Sequence, residues 1–192
     1  ITVTVSHAER TADFYRRVLG FERVFDTKIS GDAYGRLYGI AGVRLRIVRM
    51  RLGYEALDLM EFVTPRGKPI PPDSRSHDRW FQHVAIIVSD MDRAYAHLLS
   101  QRVEPVSSAP QQLPAWNPNA GGIRAFYFKD PDGHPLEILW FPPGKGDARW
   151  HVDGERLFLG IDHTAIVVAD TARTLACYRA AEDGRATEPA DA

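Results

Sequence analysis

Two histidines and two carboxylates draw attention because each sits in a strand-like run that should bury it. His83 opens the run Val84-Ala85-Ile86-Ile87-Val88, and Glu137 interrupts Leu136-Glu137-Ile138-Leu139-Trp140. Asp58 holds the matching place in Leu57-Asp58-Leu59-Met60, and His163 opens a run like that of His83. An ionised carboxylate in such surroundings is expensive to bury unless it is paired or holds a cation. Glu137 therefore reads either as half of an ion pair, with Arg124 the available partner, or as a cation ligand. Alternate residues of a strand share a face. His83, Ala85 and Ile87 point one way, suited to a cavity, while the β-branched Val84, Ile86 and Val88 point the other, suited to a helix-covered core. Glu137, Leu139 and Phe141 share a face by the same alternation.

The elements that position these residues repeat along the chain. Val5-Ser6-His7-Ala8-Glu9-Arg10-Thr11, Val88-Ser89-Asp90-Met91-Asp92-Arg93-Ala94 and Val168-Ala169-Asp170-Thr171-Ala172-Arg173-Thr174 align without a gap. Each joins a β-branched run to a polar cap and a helix. The last strands of the first two copies also align, which equates Asp58 with Glu137 and places the equivalent of His83 just before Ile1. Taken in order, the first unit (1–64) is strand, helix and three strands, with Ser6 and Glu9 read as a capping box and Leu52-Gly53-Tyr54-Glu55 as a hairpin turn. Residues 65–80 are a proline-rich linker, and 81–143 repeat the order, with Asp130-Pro131-Asp132-Gly133 as a turn before the last strand. A partial third unit, a strand and a helix, spans 144–180, and the small, polar residues 181–192 are expected to be disordered. The third strand, Ile161–Val168, is too apolar to stand alone and is expected to pair, with the first two units or across a dimer.

Composition excludes several classes. The 192 residues carry a net charge of −1 at a pI near 6.7, which gives no field for nucleic acid or an anionic membrane. No apolar run approaches a membrane span. The single Cys177 excludes an internal disulfide and points to a reducing, cytoplasmic setting. A start at Ile1, inside a strand and without Met, places the true beginning upstream.

The stretches Thr4-Val5-Ser6 through Phe14-Tyr15-Arg16-Arg17-Val18-Leu19-Gly20-Phe21, Gln82-His83-Val84-Ala85 and, most specifically, Phe128-Lys129-Asp130-Pro131-Asp132-Gly133-His134-Pro135-Leu136-Glu137 resemble the vicinal oxygen chelate superfamily. That superfamily holds glyoxalases, ring-cleaving extradiol dioxygenases and bleomycin-resistance proteins, and the resemblance covers about residues 1–143. It implies an α+β fold of paired βαβββ modules forming a half-open barrel, with a truncated third βα unit at the C-terminus. It implies metal ligands at the residue before Ile1, Asp58, His83 and Glu137. Asp58 stands where glyoxalases usually have Glu, and its arm is shorter.

The resulting expectation is a metal-dependent lyase, isomerase or dioxygenase that binds a small substrate through vicinal oxygens on Fe, Mn, Ni or Zn. Glu137 would double as catalytic base, and Trp116, Phe126, Tyr127 and Phe141 would wall an aromatic or polyketide-like substrate. The alternatives are a metal-free binder of an antibiotic or natural product, and a structural remnant of a tandem protein. A homodimer is expected. Other polar residues read more simply: Ser6 as a cap rather than a nucleophile, His77 and His134 as solvated, and Glu61 as a surface charge. Arg44, Arg46 and Arg49 read as a solvated sheet face, and His163 as a residue lacking partners.

Overall fold

The computed structural model describes residues 1–79, 82–151 and 154–182. In chain order the elements are β1 (Thr2–Val5), α1 (Ala8–Leu19), β2 (Glu22–Ser30), α2 (Asp32–Tyr38), β3 (Arg44–Leu52) and β4 (Glu55–Thr64). There follow β5 (Gln82–Val88), α3 (Met91–Ser100), β6 (Glu104–Pro105), β7 (Gln111–Gln112), β8 (Arg124–Lys129) and β9 (Pro135–Trp140). The chain then makes a short 3-10 turn (Ala148–Trp150) before β10 (Phe158–Ile166) and α4 (Thr171–Glu182). The expectation of a disordered tail lies outside the described residues beyond Glu182; Ala181 and Glu182 belong to α4. No described helix is long and apolar enough to cross a membrane.

The first sheet has the order β1-β4-β3-β2; the second runs β10-β5-β9-β8-β6, with β7 also on β8. The repeat is visible in the registers. β1 runs parallel to β4 with Thr2 opposite Asp58, and β5 runs parallel to β9 with Ala85 opposite Glu137. The sequence expectation joined the first two units round one cavity. Here β1 remains the edge of its own sheet, because the second neighbour of β5 is β10, antiparallel along Phe158–Ile166. The apolar third strand is thus paired within the chain.

Strand alternation sorts the core as the sequence implies. Val84, Ile86 and Val88, with Leu136 and Ile138, pack against Ala8, Ala12 and Leu19 of α1 and Met91, Ala94 and Leu98 of α3. Ile86 is fully buried, worth roughly 1.5–3 kcal/mol of apolar transfer. The opposite face of the second sheet carries a smaller cluster, in which Ala85, Ile87, Ala125 and Leu139 meet Trp150 and Leu159.

α1 begins one residue later than the capping-box reading places it. His7 is the N-cap, its Nδ1 accepting from the Arg10 amide at 3.4 Å, and the buried Glu61 accepts the Ala8 amide at 2.9 Å. Ser6 is drawn away to Asp132, and Glu9 to Arg23 and Arg46. Charged partners across the fold outcompete the local box. The β3–β4 hairpin turns at Gly53-Tyr54 as expected. Gly53 has φ 62, and a Cβ there would lie 2.5 Å from the Leu159 carbonyl oxygen, so a left-handed turn and a close approach both require glycine.

Candidate metal centre

His83 and Glu137 come from neighbouring strands of the second sheet and reach the same face. The His83 Nε2 lies 3.3 Å from the Glu137 Oε2, and both residues are buried. The third member is His163 on β10. Its Nε2 stands 3.2 Å from the His83 Nε2 and 3.7 Å from the Glu137 Oε2. All three donor atoms lie within 4.8 Å of one another. His163 is the most open of the three, its side chain 42% exposed, so the cluster meets solvent on that side.

The convergence follows from strand pairing. In β5–β10, His163 opposes Ala85, Thr164 opposes Val84 and Ala165 opposes His83. Two equivalent strands thus pair about a local two-fold axis through Val84 and Thr164, which puts His83 and His163 diagonally across one face. This is the residue the sequence reading left without partners. The signal was present in the repeat, since Ile161-Asp162-His163-Thr164-Ala165-Ile166 sits in the register of Phe81-Gln82-His83-Val84-Ala85-Ile86.

The donor set fits a metal ion. An ion about 2.0–2.2 Å from each donor separates them by about 2.8–3.6 Å, from cis-octahedral to tetrahedral geometry. The separations of 3.2 and 3.3 Å fall within that spacing, and the third, 3.7 Å, lies just beyond it. Tyr127, opposite Glu137 in β8–β9, sets its ring edge-on to His83 at 5.2 Å. Burial first, then the nearby Glu137 carboxylate, hold the Tyr127 phenol protonated well above its usual range.

The remaining expected site residues are placed otherwise. Asp58 accepts two hydrogen bonds from Arg49, Nε at 2.7 Å and Nη2 at 2.8 Å, and it is not among the three clustered residues. The Arg49 guanidinium lies over the Phe25 ring at 4.8 Å, so the basic strip is partly consumed in pairing. Phe126 points to the helix side, fully buried beside Tyr95 at 4.9 Å, because adjacent residues Phe126 and Tyr127 must face opposite ways. Trp116 is 81% exposed on its loop. Phe141 packs on the Trp150 cluster. Arg124 pairs with Asp92 at 2.7 Å rather than with Glu137. A cleft of about 800 Å³, lined by Thr2, Lys68, Ile70, Arg75 and His134 among others, includes none of the three clustered residues.

His134 is not solvated as expected. Its Nδ1 lies 2.9 Å from the buried Asp130 carboxylate, and the ring also bonds the Thr4 backbone, tying the turn of the second unit to β1. Burial pulls its pKa down, but the Asp130 hydrogen bond, the Asp130 and Asp132 charges and the Thr4 contact outweigh that and leave it raised above 6.5. A raised pKa means that His134 contributes stability fully below about pH 6.5 and loses the contribution as pH rises through the higher folded value. His134→Gln is therefore expected to lower the melting temperature by about 2–4 °C at pH 5.5, corresponding to roughly 1 kcal/mol, with the gap closing toward pH 9. Thermal melts of both proteins across that range check it; a gap that widened with pH would refute it.

Two sheets, each pairing its unit's first strand in parallel with its last, and a His/Glu/His cluster that could hold a metal ion define a mixed α+β protein with a candidate metal site. By family model, residues 1–138 match the Glyoxalase/Bleomycin resistance protein/Dioxygenase superfamily, and the chain belongs to it. Among solved structures, a glyoxalase family protein from Bacillus cereus aligns with a TM-score of 0.61 at 18% identity, covering 73% of this chain and 90% of that one. A candidate dioxygenase from Bacillus subtilis aligns with a TM-score of 0.61 at 19% identity, covering 98% of this chain but 54% of its own. A domain from a Frankia species, described as glyoxylase/bleomycin resistance protein/dioxygenase, gives 0.50 at 15% identity over 74% and 90%. No curated protein matches the sequence.

Proposed function

We propose that the protein is a mononuclear metal-dependent dioxygenase of this superfamily, in which His83, His163 and Glu137 hold one divalent ion. The supporting observation is the meeting of two imidazole nitrogens and one carboxylate oxygen within 4.8 Å. Two histidines and one carboxylate on one face of an ion leave the opposite positions open, the arrangement typical of non-haem Fe(II) oxygenases. When bound, the ion supplies Lewis acidity to a small substrate that chelates it through two neighbouring oxygens.

The chain's own groups do the rest. Tyr127, held protonated, presents a donor beside the site. Glu137 carries the negative charge that balances the cation and is the base available for a substrate hydroxyl. Phe141 and the Trp150 cluster exclude water from the same sheet face, and the half-open His163 side admits the substrate. The partner is a small molecule and the assembly a homodimer, which light scattering of the purified chain checks.

The test is anaerobic loading with Fe(II), Mn, Ni or Zn, followed by oxygen uptake with a panel of ortho-diphenols. One equivalent of metal and substrate-dependent oxygen uptake, both lost in Glu137→Ala, are expected. Failure to bind any of the four metals would overturn this reading and leave the metal-free binding protein in its place.

A further inference from the structure

Asp162 marks one of the two irregularities of β10, the other lying between Phe158 and Gly160. Ile161 opposes Ile86 and His163 opposes Ala85, so two residues of β10 are spent against a single step of β5, and the extra one is Asp162. Ile161 belongs to the helix-side core together with Ile86. Strict alternation after Ile161 would place Asp162 on the His83 face and return His163 to the helix side. The bulge cancels that step, and His163 arrives on the His83 face instead. A bulge also turns consecutive side chains toward one side, and here the Asp162 Oδ2 lies 2.8 Å from the His163 Nδ1. Asp162 makes no other ion pair among the described residues.

We infer that Asp162 is a positioning residue for the metal site: its carboxylate accepts the His163 Nδ1 proton and so presents a bare Nε2 to His83, Glu137 and the ion. The inference rests on the proposed metal site and adds a residue to it. A neutral imidazole carries one proton, and a carboxylate beside Nδ1 keeps it there. A histidine ligand whose second nitrogen donates to a carboxylate is more basic and held in one ring orientation. His163 needs this more than its partner does, since His83 is walled in by the sheet while the His163 side chain is 42% exposed. Asp162 is itself only partly covered, at 29% exposure, and its carboxylate lies against the His163 imidazole.

The experiment uses the full chain with Asp162→Ala, which removes the acceptor, and Asp162→Asn, which keeps an acceptor oxygen of the same reach and preserves the bulge. In metal-free protein, imidazole 15N shifts should show His163 as the Nδ1–H tautomer in the wild type, a mixture in Asp162→Ala, and recovery in Asp162→Asn. In Zn titrations, Asp162→Ala should bind about 10–100-fold more weakly than wild type, with Asp162→Asn recovering most of the loss. Melting temperatures establish that both variants fold. If Asp162→Ala matches wild type in tautomer and in Zn affinity, the inference is overturned while the metal site stands. If wild type binds no metal yet shows the tautomer pattern, the metal reading falls and the inference falls with it, leaving Asp162 only as the residue that sets the His163 tautomer.

Discussion

Replacing Glu137, His83 or His163 with alanine is expected to strip the protein of bound metal, whereas Asp58→Ala and His134→Ala are expected to retain it. Each of the first three removes one of three converging donors. The expected loss of affinity therefore exceeds the roughly 10–100-fold that removal of a supporting group costs. Asp58 is already neutralised by two hydrogen bonds from Arg49, and His134 is committed to Asp130 and Thr4. Dialysis followed by elemental analysis gives the comparison directly. Equal metal content in Asp58→Ala and Glu137→Ala would dismantle the assignment.

The second large effect is expected at Gly160. A Cβ there would lie 2.7 Å from the Glu55 Oε2 and 2.9 Å from two atoms of the Trp150 ring. Glu55 at the same place accepts the Ile161 amide at 3.3 Å and pairs with Arg149, so the β3–β4 hairpin, Trp150 and β10 lock together around a hydrogen atom. Gly160→Val should destabilise the fold by about 3 kcal/mol, a fall of about 6–12 °C in Tm, because neither the ring nor the strand can retreat without losing core contact. It should also weaken metal binding, since His163 lies three residues further along the strand. Gly154→Val serves as the control, having nothing within 4 Å of its Cβ position. If the two variants melt together, β10 is not held in the way described.

Much of this architecture is legible in the residues because strand phase is a local property. Alternation alone put His83 and Glu137 on one face and Val84 and Leu136 on the other, as the two core clusters have it. The same rule could have separated Phe126 from Tyr127, which as neighbours cannot both line a cavity. Contacts between distant segments are less legible. Ser6 has a local reason to cap α1, and only the fold brings Asp132, 126 residues away, close enough to take it. His163 and Asp162 were hidden for a related reason. Which edge β10 joins is decided by burial of Phe158 and Ile161 against distant partners, and the bulge that re-aims His163 has no residue signature of its own.

The equivalence of the two sheets extends to the partners of their acids. Arg49 opposes Asp58 in β3–β4 as Tyr127 opposes Glu137 in β8–β9. At one corner of the duplicated scaffold the positive charge is written into the polypeptide; at the other, on the proposed function, it comes from the bound ion. The first sheet thus balances its acid from within the chain. The second carries an acid among imidazoles and a phenol, a corner that could hold a cation. Duplication followed by divergence at a single facing pair would divide labour in this way, one copy becoming self-sufficient and the other remaining responsive to its surroundings.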